Sequence, residues 1–150
     1  MSTLAHNKQA LYDYQVLEEF EAGLVLTGAE VKAAKLSQIN LRGSFVSIQA
    51  GEAWIKNMHI SPYKKAGLNQ KNYNPEQDRK LLLKNKELDY LIGKTKERGL
   101  TIIPISVYTT RRLVKVKIAL VKGKKKHDKR QVMKKRDIDR EIARKLKNYQ

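Results

Sequence analysis

LTIIPISVY at residues 100–108, followed by LVKVKIALV at residues 113–121, decides the fold class of this 150-residue chain. In the second run, apolar side chains from Val114 to Leu120 alternate with Lys115 and Lys117. Such alternation is typical of a strand with one buried face, and here the other face is basic. The two runs together predict an antiparallel hairpin.

Further upstream, three more segments carry strand patterns and one carries the pattern of a short helix. The predicted strands are residues 12–26, bent near Gly23, and a hairpin of residues 40–48 and 52–60; the predicted helix covers residues 30–36. Several antiparallel strands with helical insertions, and no alternation of strands and helices, favour a small barrel. The predicted fold is mainly β with helices (α+β): an OB-like antiparallel β-barrel with about three helices.

A longer helix is predicted for residues 74–98. Asn74 and Pro75 carry the signals of an N-cap and a first turn, and Gly99 suits the position after the last turn. Apolar residues at 81, 88, 91 and 92 supply a buried stripe. The preceding residues, 61–74, are predicted to form a polar loop.

The charge of the chain is concentrated at its C-terminal end. The sequence has 32 Lys and Arg against 15 Asp and Glu, a net charge of +17. Residues 111–150 hold 17 of these cations and only 4 of the acids. We therefore predict two parts: a barrel over residues 1–122, and a basic tail over 123–150 that is unfolded when free and helical when bound.

A polyanion is the partner that such a charge favours. Nucleic acid is preferred over an anionic membrane, because the tail lacks the large apolar face of an interfacial helix. Between RNA and DNA the composition is nearly silent, although a barrel with a basic extension is more typical of RNA-binding modules.

Several classes of protein are excluded by the sequence. There is no cysteine, so disulfides, zinc fingers, thiol nucleophiles and iron–sulfur clusters are excluded. His6, His59 and His127 stand in unrelated contexts, and no catalytic or nucleotide-binding motif occurs. We predict a protein that is not an enzyme and needs no metal or cofactor. No membrane-spanning run or signal peptide is found, which predicts a cytoplasmic location.

Two candidate binding residues have structural alternatives of comparable weight. Glu30, close to Lys32, is the best single carboxylate for a partner, since Gly28 allows a close approach. Alternatively, Glu30 is the acidic residue that a helix N-terminus favours. His59 ends a predicted strand, where a hydrogen-bonded structural histidine is more common than a ligand.

Seven segments stand out in order along the chain: GLVLTGAEVK at residues 23–32, NMHISPY at 57–63, RKLLL at 79–83, GLTIIP at 99–104, VKV at 114–116, ALVKGKK at 119–125 and HDKR at 127–130. Together they resemble motifs of the SmpB family, the SsrA-binding proteins of bacteria. The combination is specific, although each segment alone is weak.

The resemblance implies a closed OB-like barrel with three helices and a tail. It further implies binding to the tRNA-like domain of transfer-messenger RNA (tmRNA) and its delivery to 70S ribosomes stalled on messages without a stop codon. There the protein would take the space of a codon–anticodon stem, with its tail in the decoding centre and the empty mRNA channel, against ribosomal RNA. No membrane and no DNA partner is expected.

The resemblance also implies two sets of site residues. The expected tmRNA contacts are Asn7, Lys8, Glu30, Lys32, Asn57, His59, Lys122, Lys124 and Lys125. The expected ribosome contacts in the tail are His127, Asp128, Lys129, Arg130, Lys134 and Arg136.

The sequence departs from the family pattern in two loop segments. Tyr73 and Gln77 replace the usual His and Arg before Arg79, so no RNA contact is assigned to that loop. Residues 109–112 lack the glycine common in the last hairpin. The alternative function is that of a ribosomal or nucleoid-associated basic protein, which would bind any duplex without specificity.

Overall fold

The computed structural model describes residues 2–64, 72–123 and 140 of the chain. The strands are β1 (Ser2–His6), β2 (Tyr14–Leu24), β3 (Ile39–Asn40), β4 (Phe45–Gln49), β5 (Glu52–Lys56), β6 (His59–Ile60), β7 (Arg79–Leu82), β8 (Leu100–Thr110) and β9 (Leu113–Gly123). The helices are α1 (Lys8–Asp13), α2 (Gly28–Lys35) and α3 (Asn85–Thr95). A helix of the length and apolar character that a bilayer crossing requires does not occur in these ranges.

The main sheet closes on itself. Its strands pair in the order β1-β8-β4-β5-β7-β2-β9, and β9 also pairs with β8 along its whole length. Six strands therefore form a closed antiparallel ring, in the order β8, β4, β5, β7, β2 and β9. β1 pairs with the part of the β8 edge that β4 leaves free. A second sheet contains only β3 and β6. The predicted α+β class and OB-like barrel are confirmed.

The β8–β9 hairpin forms as the alternation predicted. Thr110 pairs with Leu113 at the turn, and Leu100 pairs with Lys122 at the open end. Val116 and Ile118 of β9 are fully buried in the barrel, whereas Lys115 and Lys117 lie outside.

An outer layer that the sequence did not predict covers part of this hairpin. Ala10 of α1 packs on Ile103, Ile105, Ala119 and Val121, which form an apolar cluster outside the barrel. The predicted strand over residues 12–26 was therefore wrong at its start, because the chain is helical until residue 13. Covering the outer face of β8 and β9 explains why both strands carry buried residues on both faces.

The predicted helix over residues 74–98 was also wrong in its first half. Residues 79–82 form β7, in which Arg79 pairs with Ile55 and Leu81 pairs with Ala53. Arg79 and Leu81 are buried, whereas Leu82 is 56% exposed, as alternation in a strand requires. The run has strong helix formers, but pairing with β2 and β5 prevails over local propensity.

The first hairpin is confirmed with shorter strands than predicted. Its loop is the predicted turn, with Ala50 at φ 52° and Gly51 at φ 75°. The flanking residues 39–40 and 59–60 pair with each other as the separate small sheet.

Candidate nucleic-acid interface

Glu30 connects helix α2 to the barrel. Thr27 is the N-cap of α2, and its hydroxyl accepts the Glu30 N–H at 3.2 Å. In return, the Thr27 N–H donates to Oε1 of Glu30 at 3.0 Å. This reciprocal pair is a capping box, which fixes both the start of the helix and the direction of the Glu30 side chain.

The other carboxylate oxygen of Glu30 accepts three hydrogen bonds from one short segment of chain. Arg79 Nε donates at 2.6 Å, the Tyr73 hydroxyl at 3.0 Å and Gln77 Nε2 at 3.2 Å. The side chains of Glu30 and Arg79 are 2% and 1% exposed, so this is a buried ion pair. We name Glu30, Tyr73, Gln77 and Arg79 the buried network.

Arg79 extends the buried network to the backbone on both sides. Its guanidinium donates to the carbonyl oxygens of Met58 and Pro75, and its Nη2 also reaches the Tyr73 hydroxyl at 3.0 Å. The Tyr73 hydroxyl also lies 3.0 Å from the Ile60 carbonyl oxygen, so its single proton is shared between that oxygen and Glu30. In the described part of the chain, every buried side-chain polar atom has a partner, so the cost of burying this pair is offset by complete hydrogen bonding.

The pKa values in the buried network follow from this arrangement. Burial acts to raise the pKa of Glu30, but the Thr27 N–H, Arg79 and Tyr73 outweigh it and hold that pKa below its ordinary value. Burial and the adjacent carboxylate raise the pKa of Tyr73. The network therefore contains a carboxylate anion and a neutral phenol at neutral pH.

The structure corrects the expected position of Glu30. Its carboxylate does not lie on a surface that a partner could touch, because it is buried and its hydrogen-bonding capacity is used within the protein. The alternative interpretation, a structural acid at a helix N-terminus, describes what is observed. The sequence missed the partner, since Arg79 was assigned to a helix rather than to an inward position of a strand.

Three other predicted contacts lie on the surface near this network. Lys32 is exposed on α2, and its Nζ lies 5.6 Å from the ring centroid of Tyr63, within the range of a cation–π contact. Asn57 is exposed between β5 and β6, at φ 61°. His59 on β6 is half-exposed, with Nδ1 3.7 Å from a carboxylate oxygen of Glu76. Since α2 packs against β6, the structure brings these side chains to one region.

The remaining described candidates belong to α1 and the end of β9. Asn7 is the N-cap of α1; its Oδ1 accepts the Ala10 N–H at 3.3 Å and its Nδ2 donates to the Pro104 carbonyl at 2.9 Å. Its side chain is 7% exposed and engaged in these two contacts, and its role towards RNA stays a prediction. Lys8 and Lys122 are exposed.

The other candidates lie outside the described residues. They are Lys124, Lys125, His127, Asp128, Lys129, Arg130, Lys134 and Arg136. Within the described ranges, no group of three or more His, Asp or Glu side chains could hold a metal ion.

The fold and these exposed basic side chains define a small nucleic-acid-binding β-barrel. The family model described as SmpB protein matches residues 4–148. The chain therefore belongs to the SmpB family, as its sequence motifs indicated. This is a family of RNA-binding proteins and not of enzymes, so the prediction that the chain is not an enzyme is confirmed.

Individual relatives match along almost their whole length. An SsrA-binding protein of Sulfurihydrogenibium sp. is 50% identical over 144 residues, covering 96% of this chain and 93% of that protein. The SsrA-binding protein of Wolbachia pipientis subsp. Culex pipiens is 46% identical over 149 residues, or 99% of each chain. A solved chain described under "tmRNA-SmpB: a journey to the center of the bacterial ribosome" is 39% identical. It superposes with a TM-score of 0.67, covering 81% of this chain and 85% of that one.

Proposed function

We propose that this chain binds the tRNA-like domain of tmRNA and delivers it to 70S ribosomes stalled on messages without a stop codon. The observation that carries the proposal is the extent of the family match, residues 4–148, which includes both the barrel and the basic tail. Tagging of the unfinished peptide then requires both partners at once, tmRNA and ribosome. Because translating ribosomes are the site of action, the protein acts in the cytoplasm.

The RNA contacts of the barrel are assigned to its exposed candidates. Lys32, Asn57 and His59 lie around the buried network and offer a cation, an amide and an imidazole to the RNA. Lys8 and Lys122 add exposed cations elsewhere on the barrel. These groups suit phosphate and sugar contacts, which position an RNA without reading its sequence.

Glu30 and Asn7 act in this proposal as positioning residues. The Glu30 carboxylate joins α2, which carries Lys32, to the segment before β7 and, through Tyr73, to Ile60 beside His59. Asn7 fixes α1, which carries Lys8, to the backbone of β8. The loss of either side chain would displace the cations that touch RNA.

The second part of the proposal is that residues 123–150 form a separate ribosome-binding extension. Lys124 and Lys125 extend the contact with tmRNA, and residues 127–136 contact ribosomal RNA at the decoding centre. The remaining residues, 131–150, reach ~30 Å if helical, which is long enough to line a segment of the empty mRNA channel. The Lys and Arg side chains of the tail would pair with the phosphates of the ribosomal RNA that lines the channel.

Competition binding tests the first part. Labelled tRNA-like domain is bound by the full chain at physiological salt and displaced with bulk tRNA or random duplex RNA and DNA. We expect displacement only at large excess, and we expect Lys32→Gln to weaken binding while Lys86→Gln on α3 does not. Equal competition by every duplex, with a steep salt dependence throughout, would instead establish the non-specific basic protein.

A further inference from the structure

The turn between β8 and β9 has a backbone conformation that its residues disfavour. Thr110 pairs with Leu113, so the loop consists of Arg111 and Arg112 alone. Both residues have positive φ, 47° and 69°, which is the geometry of a type I′ turn. Such turns favour Asn-Gly, because side chains other than those of Gly, Asn and Asp are strained in the left-handed region.

The other hairpin of the same protein shows the ordinary solution. Its two-residue loop also has two positive φ values, but one of the positions is Gly51. Neither position of the β8–β9 turn is a glycine, so the backbone of both arginines is strained. This strain lowers the stability of the protein, and backbone strain is characteristic of functional positions.

Both arginine side chains are exposed and free to bind a ligand. In the ranges that the structure describes, neither guanidinium has an ion-pair or hydrogen-bond partner. The carboxylate of Glu21 binds to two strand residues beside the turn. It accepts hydrogen bonds from the Tyr108 hydroxyl and, at 3.0 Å, from Lys115 Nζ, so its charge is already neutralised.

We propose that Arg111 and Arg112 form a second contact with the phosphate backbone of RNA, at the tip of the β8–β9 hairpin. The proposal rests on the RNA-binding function above. The guanidinium group offers a planar fork of donors that binds phosphate oxygens in pairs, and adjacent left-handed residues display two such forks at one tip.

The position of the tip separates it from the basic tail. Lys122 stands at the opposite end of β9, ten residues from Arg112, so about 33 Å of extended strand lies between them. Cations at the two ends of one rigid hairpin can therefore contact phosphates about 33 Å apart, which a single basic cluster could not reach. The RNA that supplies these phosphates is either tmRNA or ribosomal RNA.

The double substitution Arg111→Asn with Arg112→Gly tests the proposal, because it removes the guanidinium groups and installs the favoured turn. We expect its melting temperature to rise while its RNA affinity falls roughly tenfold at physiological salt. The slope of log K against the logarithm of the salt concentration should become less negative by about two, because two phosphate contacts are lost. Separate titrations with the isolated tRNA-like domain and with vacant ribosomes identify which RNA is bound.

Two controls make the result specific. Lys86→Gln with Lys96→Gln removes the same charge from two exposed side chains, one on α3 and one directly after its last residue, and we expect less than a twofold change in affinity. Arg111→Lys with Arg112→Lys keeps the charge but not the fork, and should recover only part of the affinity. Unchanged affinity of the Asn-Gly variant for both RNAs overturns this inference. A wild-type chain without preference for the tRNA-like domain overturns the proposed function instead.

Discussion

At the scale of single residues, the Glu30–Arg79 pair is the feature on which the site depends most. Both side chains are buried, and each satisfies backbone groups of a different segment. We expect Glu30→Gln to lower the free energy of unfolding by about 3–5 kcal/mol, because it leaves the buried Arg79 cation without a counterion. Chemical denaturation measures the change. Glu52→Gln removes an exposed carboxylate, 3.2 Å from Lys80, and should cost less than about 1 kcal/mol.

The pH dependence of the free energy of unfolding is a second test of the structural role of Glu30. The pKa of Glu30 is lowered from 4.5 by folding, so the unfolded chain takes up this proton at higher pH than the folded chain. The stabilisation is therefore complete above pH 4.5 and is lost as the pH falls through the folded pKa. In the Glu30→Gln variant, the free energy of unfolding should fall less steeply as the pH decreases below 4.5. A variant as stable as the wild type, with the same dependence on pH, contradicts the structural role of Glu30.

Single residues also show why the sequence predicted the surroundings of the candidate residues only in part. Lys32, Asn57 and His59 are expected contacts from two motifs, and all three have solvent-accessible side chains. Glu30 stands in the same motif as Lys32, yet its environment depends on Arg79, which is 49 residues away in sequence. A local pattern cannot report that a carboxylate will meet a cation from a distant strand.

At the scale of elements, the sequence succeeded where hydrophobic alternation was long and failed where it was short. The 11-residue strands β8 and β9 alternate through several periods, and their hairpin was predicted. The four residues of β7 are too few to show a period, and their Arg-Lys-Leu-Leu composition favours a helix. α1 was missed because its buried residue packs on the outside of the barrel, and β1 was missed because it is a short strand added to the edge of β8.

The two adjacent leucines of β7 test this strand directly. Leu81 is 3% exposed in the core, whereas Leu82 is 56% exposed beside Gly23. We expect Leu81→Ala to cost about 2–5 kcal/mol and Leu82→Ala less than about 1 kcal/mol. Urea denaturation of the two variants provides the measurement and its matched control. Similar losses from both would contradict the alternation of β7.

At the scale of the whole molecule, the described core and most of the positive charge occupy different parts of the sequence. All buried apolar residues of the described chain lie between Leu4 and Val121, and β9 ends at Gly123. Charge has the opposite distribution, since residues 111–150 carry 17 of the 32 cations. Stability is therefore concentrated in one part of the chain and charge in the other. Separate RNA partners for the two parts are consistent with this division.

Truncation after Lys126 tests the division, because it keeps the core together with Lys122, Lys124 and Lys125. We expect unchanged thermal unfolding and an affinity for the tRNA-like domain within a few-fold of that of the full chain. Peptide tagging on stalled ribosomes should be abolished, since no tail reaches the decoding centre. A full-length chain with residues 127–150 in scrambled order is the control for charge, and it should fail in tagging as well. Loss of tRNA-like-domain binding on truncation would contradict the division, whereas restored tagging by the scrambled tail would show that the tail acts through its charge alone.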